Sequence, residues 1–330
     1  MKAAYINEPG PPAAIQFGDL PEPQISDGQC LVRVSAVAVN PIDTYIRGGA
    51  NYWELPKPFV IGCDLAGRVE AVGPGVKHLQ VGDRVWGSNQ GLLGRQGTFA
   101  ELCAVDQQWL YPTPEGVRDE DMAASALVGI TAHLGLLGAA RLQAGETIFV
   151  RGGTGGVGSM VVQIAKAVGA CVIATAGGPA KVARCRDLGA DHVIDYTSED
   201  VGEQLSHWAP AGVNVFWETL REPDFDLAVR TMSECGRMIL MAGRDARPEF
   251  PVGPFYVKGC SLHGFAMFKA TADQQHLCAQ DLNHWFASKR LRALIDRTLP
   301  LSDAAEAHRL QEEHTIGKKS SLLGKLVLKP

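Results

Sequence analysis

Three glycines at a fixed spacing, Gly153, Gly155 and Gly158, follow the apolar run Thr147–Val150. They open a stretch in which Val157, Val161, Ile164 and Val168 recur at intervals of four, three and four, one face of a helix. A G-x-G-x-x-G pattern between a strand and an amphipathic helix receives the pyrophosphate of a dinucleotide. One glycine permits the tight turn out of the strand, one lets the backbone approach the phosphates, and one lets helix and strand pack closely. The helix start then turns free N–H groups and partial positive charge toward the anion. Gly153, Thr154, Gly155, Gly156, Val157 and Gly158 are the expected phosphate cradle. An ordinary glycine-rich loop is the competing reading, and the strand–loop–helix context weighs against it.

An NAD site commonly carries Asp or Glu about 20 residues past the loop, on the ribose 2′-hydroxyl. The corresponding stretch, residues 174–181, reads ATAGGPAK and holds no acid. A carboxylate would repel a 2′-phosphate and Lys181 would attract it, so NADPH is the expected cofactor. The nine histidines show neither H-x-x-H nor H-E-x-x-H, and Cys63-Asp64 is the only Cys–carboxylate neighbour pair in the N-terminal third. A tetrahedral zinc site needs three or four ligands, so no metal is expected. A G-x-S-x-G nucleophile motif is also missing.

The elements that must hold the loop alternate. Apolar strands are expected at 147–150, 171–175, 193–194, 213–217 and 238–241, with a helix at 181–188. This rhythm predicts an α/β fold with a doubly wound parallel sheet. Earlier, a strand at 31–39 and short apolar runs broken by glycine read as a compact barrel. Prolines 9, 11, 12, 21 and 23 argue against an early helix. Small residues at 123–137 read as helical, as does the chain after 271, which ends in a strand at 326–328. The barrel is therefore expected to be discontinuous, with the nucleotide domain inserted in it.

The chain has 330 residues, 46% hydrophobic and 20% charged, with a formal net charge of -5. That is the balance of a soluble protein of two domains, without the basic footprint of a nucleic-acid binder. No secretory signal is expected, and no apolar run is expected to reach the roughly 20 residues of a membrane span. Eight cysteines without a C-x-x-C pair suit a reducing cytoplasm.

Several motifs together resemble one family. They are MKAA at the start, AVNPIDTYIRG at 38–48, GCDLAG at 62–67, VGPGV at 72–76, GDRV at 82–85 and LGADHVIDY at 188–196. With the glycine loop, they are similar to the zinc-free, ζ-crystallin-like quinone oxidoreductases of the medium-chain dehydrogenase/reductase superfamily. The resemblance implies a Rossmann NADPH-binding domain at 123–267, inserted in a GroES-like catalytic β-barrel at 1–122 and 268–330. Zinc alcohol dehydrogenases of the superfamily place cysteine where Asn40 stands and Gly-His-Glu at 62–64. Residues 88–98, where their structural zinc loop would fall, contain no cysteine.

The resemblance further implies Asn40, Asp43 and Tyr45 as catalytic residues, with Asn40 and Tyr45 also near the nicotinamide. Thr131, Ala242, Gly243, Phe265 and Met267 would line the nicotinamide end, and Lys181 and Tyr196 would flank the 2′-phosphate. Where some members place an arginine near that phosphate, this chain offers Lys318 or Lys319. The implied reaction is hydride transfer from NADPH to a quinone in a cleft between the domains, with Tyr45 or a water near Asn40 and Asp43 supplying the proton. A reductase of 2-alkenals or enones, or a non-catalytic NADPH-binding protein, are the alternatives. A homo-oligomer is implied, a dimer favoured, with the sheet edge at 261–265 free to pair.

Overall fold

The computed structural model describes residues 1–50, 53–317 and 322–330. The chain divides into two compact units, Met1–Leu127 with Thr271–Pro330, and Val128–Ala270.

In the first unit the strand Gln29–Ala38 organises the barrel. It pairs antiparallel with Asp64–Val72, with Leu102–Asp106 and, at its far end, with Lys325–Lys329. Cys30, Val32, Val34 and Ala36 point into the core at period two, and the last residues are buried on both faces. Glycine is required where strands close up: a Cβ on Gly67 would stand 2.1 Å from the Arg33 carbonyl oxygen. The chain leaves this strand through Asn40 into the helix Pro41–Arg47. Proline at its first position fixes φ where an N–H is not needed. The prolines near the N-terminus do not exclude helix entirely, because Pro12–Ala14 forms a single 3₁₀ turn that begins on one.

The second unit is one six-stranded sheet, all parallel. Its order is His192–Asp195, Cys171–Ala176, Thr147–Val150, Val213–Glu218, Met232–Leu240 and Ser261–Gly264. The chain winds outward from Thr147–Val150 in one direction, then returns and winds in the other. The carboxyl ends of Thr147–Val150 and Val213–Glu218 therefore flank the switch point where such sheets bind ligands. Phe149, Ile173, Ile194, Phe216 and Met238 form the core beneath it. The strand expected at 238–241 begins earlier, at Met232, which pairs with Val213 before a register shift. Ser233, Glu234 and Gly236 break the apolar run there, which hides the first half of the strand from a sequence reading.

The helix Asp119–His133 continues through a wider π-type turn, Leu134–Ala139. Against expectation, Asp119–Ala139 is long and apolar enough to cross a membrane, and 72% of its most apolar window is buried inside the protein. It is packed as a core helix. Six cysteines are buried, Cys171 is half-buried and Cys235 is exposed.

Candidate active site

The glycine loop is tied to the neighbouring strand. The Gly152 amide donates to Thr175 Oγ1 at 2.8 Å, and the Gly153 amide to the Thr175 carbonyl at 2.9 Å. A Cβ on Gly153 would lie 2.6 Å from Cys185 Sγ, and one on Gly158 would lie 2.0 Å from the Gly152 carbonyl oxygen. On Gly155 it would meet only the Gly152 oxygen at 3.4 Å, so that side of the loop is open. Gly155 is also the N-cap of the helix Gly156–Val168 and brings no side chain to its free N–H groups. Thr154 is buried and Val157 half-buried. This cradle fits a dinucleotide phosphate: closed by packed neighbours at Gly153 and Gly158, open at Gly155.

Beside the loop, Gly177 and Gly178 lead into the helix Pro179–Asp187, which carries half-buried Lys181 in its first turn. Tyr196 is 56% exposed, and its hydroxyl oxygen lies 2.4 Å from where a Cβ on Gly177 would stand. The ring thus covers the glycine turn. An acid is present here that the sequence reading passes over, because it ends the third strand rather than the second. Asp195 Oδ1 accepts from the Thr197 hydroxyl at 2.6 Å, the Gly178 amide at 2.9 Å and the Thr197 amide at 3.1 Å. These donors hold its carboxyl below the usual range, the Thr197 hydroxyl most and the Gly178 amide next. Lys318 and Lys319 lie outside the described residues.

Other expected pocket residues follow strand ends. Ala242 and Gly243 are half-buried just past Met232–Leu240, and a Cβ on Gly243 would come within 2.6 Å of the Arg221 carbonyl oxygen. Phe265 follows the edge strand, and Met267 and Thr131 are buried. Trp217 and Phe265 both crowd Gly135, where a Cβ would stand 2.2 Å from the indole and 3.1 Å from the Phe265 ring.

In the first unit, Asn40 is fully buried and its side chain is committed there. Its Nδ2 donates to Asp64 Oδ2 at 2.8 Å, and its Oδ1 accepts from Lys325 Nζ. Lys325 Nζ also donates to the Val39 carbonyl at 2.6 Å. Asp64 Oδ1 accepts from Ser88 Oγ at 2.6 Å and from the Leu127 amide at 3.1 Å. Burial pushes the Asp64 carboxyl upward, opposed by nearby Lys325 and by the bonds from Ser88, Asn40 and Leu127, while burial pushes Lys325 downward. Asp43 completes a capping box, accepting from the Asn40 amide at 2.8 Å. Burial pushes its carboxyl up to about 7, against the opposing pull of the Cys63 thiol beside it.

Asn40 is thus brought together with Asp64 and Lys325. Asp43 and half-buried Tyr45 stand two positions apart on one helix, a spacing that points side chains to different faces. Sequence reasoning missed Lys325, whose apolar followers Leu326, Val327 and Leu328 make it look like the solvated start of a strand.

Residues 26–115 match the alcohol dehydrogenase GroES-like domain, and residues 156–282 match the zinc-binding dehydrogenase family. A quinone oxidoreductase of Sus scrofa is 32% identical over 320 residues, which span 93% of each chain. This chain belongs to the quinone oxidoreductase branch of the medium-chain dehydrogenase/reductase superfamily. As a quinone oxidoreductase relative over nearly its whole length, it is an oxidoreductase enzyme. An NADPH-dependent alkenal/one oxidoreductase of Arabidopsis thaliana is 33% identical over 305 residues, 90% of this chain and 72% of that one. The Escherichia coli quinone oxidoreductase complexed with NADPH superposes over 100% of both chains with a TM-score of 0.86 at 26% identity. Lys325 Nζ donates to Asn40, and among the described residues no group of three or more His, Cys, Asp or Glu side chains is placed to hold a metal ion.

Proposed function

We propose that the protein reduces a quinone with NADPH, without zinc. The observation that carries this reading is the open glycine cradle, followed by a second strand that ends without an acid and leads through Gly177–Gly178 to Lys181. NADPH supplies the hydride when bound. Gly153, Thr154, Gly155, Gly156, Val157 and Gly158 hold its pyrophosphate, and Lys181 and Tyr196 its 2′-phosphate. Thr131, Ala242, Gly243, Phe265 and Met267 line the nicotinamide end. In this reading the cofactor domain is 123–267, and the catalytic domain is 1–122 with 268–330.

Tyr45 presents its hydroxyl to the acceptor, as proton or hydrogen-bond donor. Asn40 and Asp43, committed to the buried network and the helix cap, act by positioning the helix that carries Tyr45. A quinone arrives already electron-poor, so its reduction needs no metal to polarise it. The name of the Arabidopsis relative favours a second reading in which the acceptor is an alkenal or enone. Eight free thiols support a cytoplasmic setting. The edge strand Ser261–Gly264, with Tyr256, Val257 and Leu262 exposed near it, supports a homodimer joined along that edge.

Lys181→Ala tests the choice of cofactor. The dissociation constant for NADPH, followed by nicotinamide fluorescence, is expected to rise at least about tenfold, the effect of one charge-assisted bond, with NADH little changed. Equal losses for both would remove Lys181 from the 2′-phosphate.

A further inference from the structure

Arg151 stands between the strand Thr147–Val150 and the glycine loop, and Glu218 is the last residue of the adjacent strand Val213–Glu218. Their side chains bridge the two carboxyl ends that flank the switch point, with Arg151 Nη1 donating to Glu218 Oε2 at 3.1 Å. The pair is built in. Glu218 is 0% exposed, and its other oxygen accepts from the Leu220 amide at 2.8 Å. The Arg151 amide donates to the Trp217 carbonyl at 3.0 Å, and its own carbonyl accepts from Thr219 Oγ1 at 2.5 Å. A guanidinium carries five N–H donors in a fixed fork, and the Glu218 bond uses one of them. The Arg151 side chain keeps 18% exposure.

A buried ion pair is a weak device for stability, because desolvation cancels most of the attraction. Here burial raises the Glu218 carboxyl, and Arg151 opposes that rise. Its position explains it better. It fixes a cation at the strand ends where doubly wound sheets seat the dinucleotide, immediately before the cradle in the chain.

We infer that Arg151, aimed by Glu218, contacts the phosphate on the nicotinamide half of the cofactor. The inference rests on the cofactor reading above. The contact is to a part that NADPH and NADH share, so Arg151 adds affinity without choosing between them, while Lys181 chooses.

Titration of the full-length protein with three probes separates these roles. Arg151→Met is expected to weaken NADPH and NADH alike, each by at least about tenfold, the loss of one charge-assisted bond. Adenosine 2′,5′-bisphosphate, which carries the 2′-phosphate but no nicotinamide half, is expected to bind as it does to the wild type. Glu218→Gln, which keeps the packing and loosens the guanidinium, is expected to weaken both dinucleotides several-fold. Unchanged dinucleotide affinity in both variants overturns the inference. So does a parallel loss of the bisphosphate, which would mean that the loop has collapsed. Should Arg151→Met not fold, Arg151→Lys and Glu218→Gln decide by the same criteria. A wild-type protein that binds neither dinucleotide would instead defeat the cofactor reading itself.

Discussion

Gly158→Ala is expected to abolish cofactor binding, raising the dissociation constant for NADPH more than about 100-fold, or about 3 kcal/mol. The added Cβ would sit 2.0 Å from the Gly152 carbonyl oxygen, 2.9 Å from its carbon and 3.3 Å from Gly153 Cα. All three are backbone atoms of the loop, so no side-chain rotation relieves the clash. Either the helix Gly156–Val168 withdraws or the loop moves off Thr175, breaking bonds of 2.8 and 2.9 Å. Both movements take the helix N-terminus away from the phosphates, and the sheet below is untouched. The variant should therefore keep its far-ultraviolet circular dichroism while losing NADPH fluorescence enhancement. Retained NADPH affinity would show that the loop is not the cradle.

The second large effect lies in the barrel. Lys325→Met leaves Asp64, fully buried, without its compensating cation, and takes a donor from Asn40 and from the Val39 carbonyl. Leaving two buried acceptors, Asn40 Oδ1 and the Val39 carbonyl, without their donor costs about 2–6 kcal/mol, at about 1–3 kcal/mol each. The thermal midpoint should fall by on the order of 10 °C for a unit of this size. Adding Asp64→Asn removes the carboxyl that Lys325 opposes electrostatically, so the double variant is expected to recover part of the loss, a coupling of at least about 1 kcal/mol. A single-variant drop of less than about 2 °C, or no recovery in the double variant, would contradict the network. Lys325 also reaches Tyr45 indirectly, since Asn40, which it holds, caps the helix on which Tyr45 stands.

Most of the α/β framework could be read from the chain because local pattern and tertiary role coincide there. The strand Thr147–Val150 and the helix face of Val161 and Ile164 are apolar at the period their burial demands. Gly158 stands where backbone meets backbone and Gly153 where strand and helix side chains close in, requirements of local geometry that show directly in residue type. What escaped depends on contacts between distant segments. Lys325 meets Asn40 across 285 positions, and Arg151 meets Glu218 across 67, so neither pairing leaves a periodic trace. Asn40 and Asp43 were legible as unusual residues, but sequence alone cannot separate a side chain facing a ligand from one committed to a buried cap. Asp195 was overlooked because the acid was sought on the second strand, whereas the third strand delivers it to the same Gly177–Gly178 turn.

As proposed above, this branch member moves hydride from NADPH to an electron-poor acceptor without a metal. This is tested most directly by steady-state oxidation of NADPH and NADH with ortho-quinones, para-quinones and 2-alkenals, before and after exhaustive chelation. The expected result is turnover of NADPH with at least one quinone, a kcat/KM at least about tenfold lower with NADH, equivalent to about 1.4 kcal/mol, and rates unaffected by the chelator. Turnover that disappears on chelation and returns with zinc, or a clear preference for NADH, would contradict it.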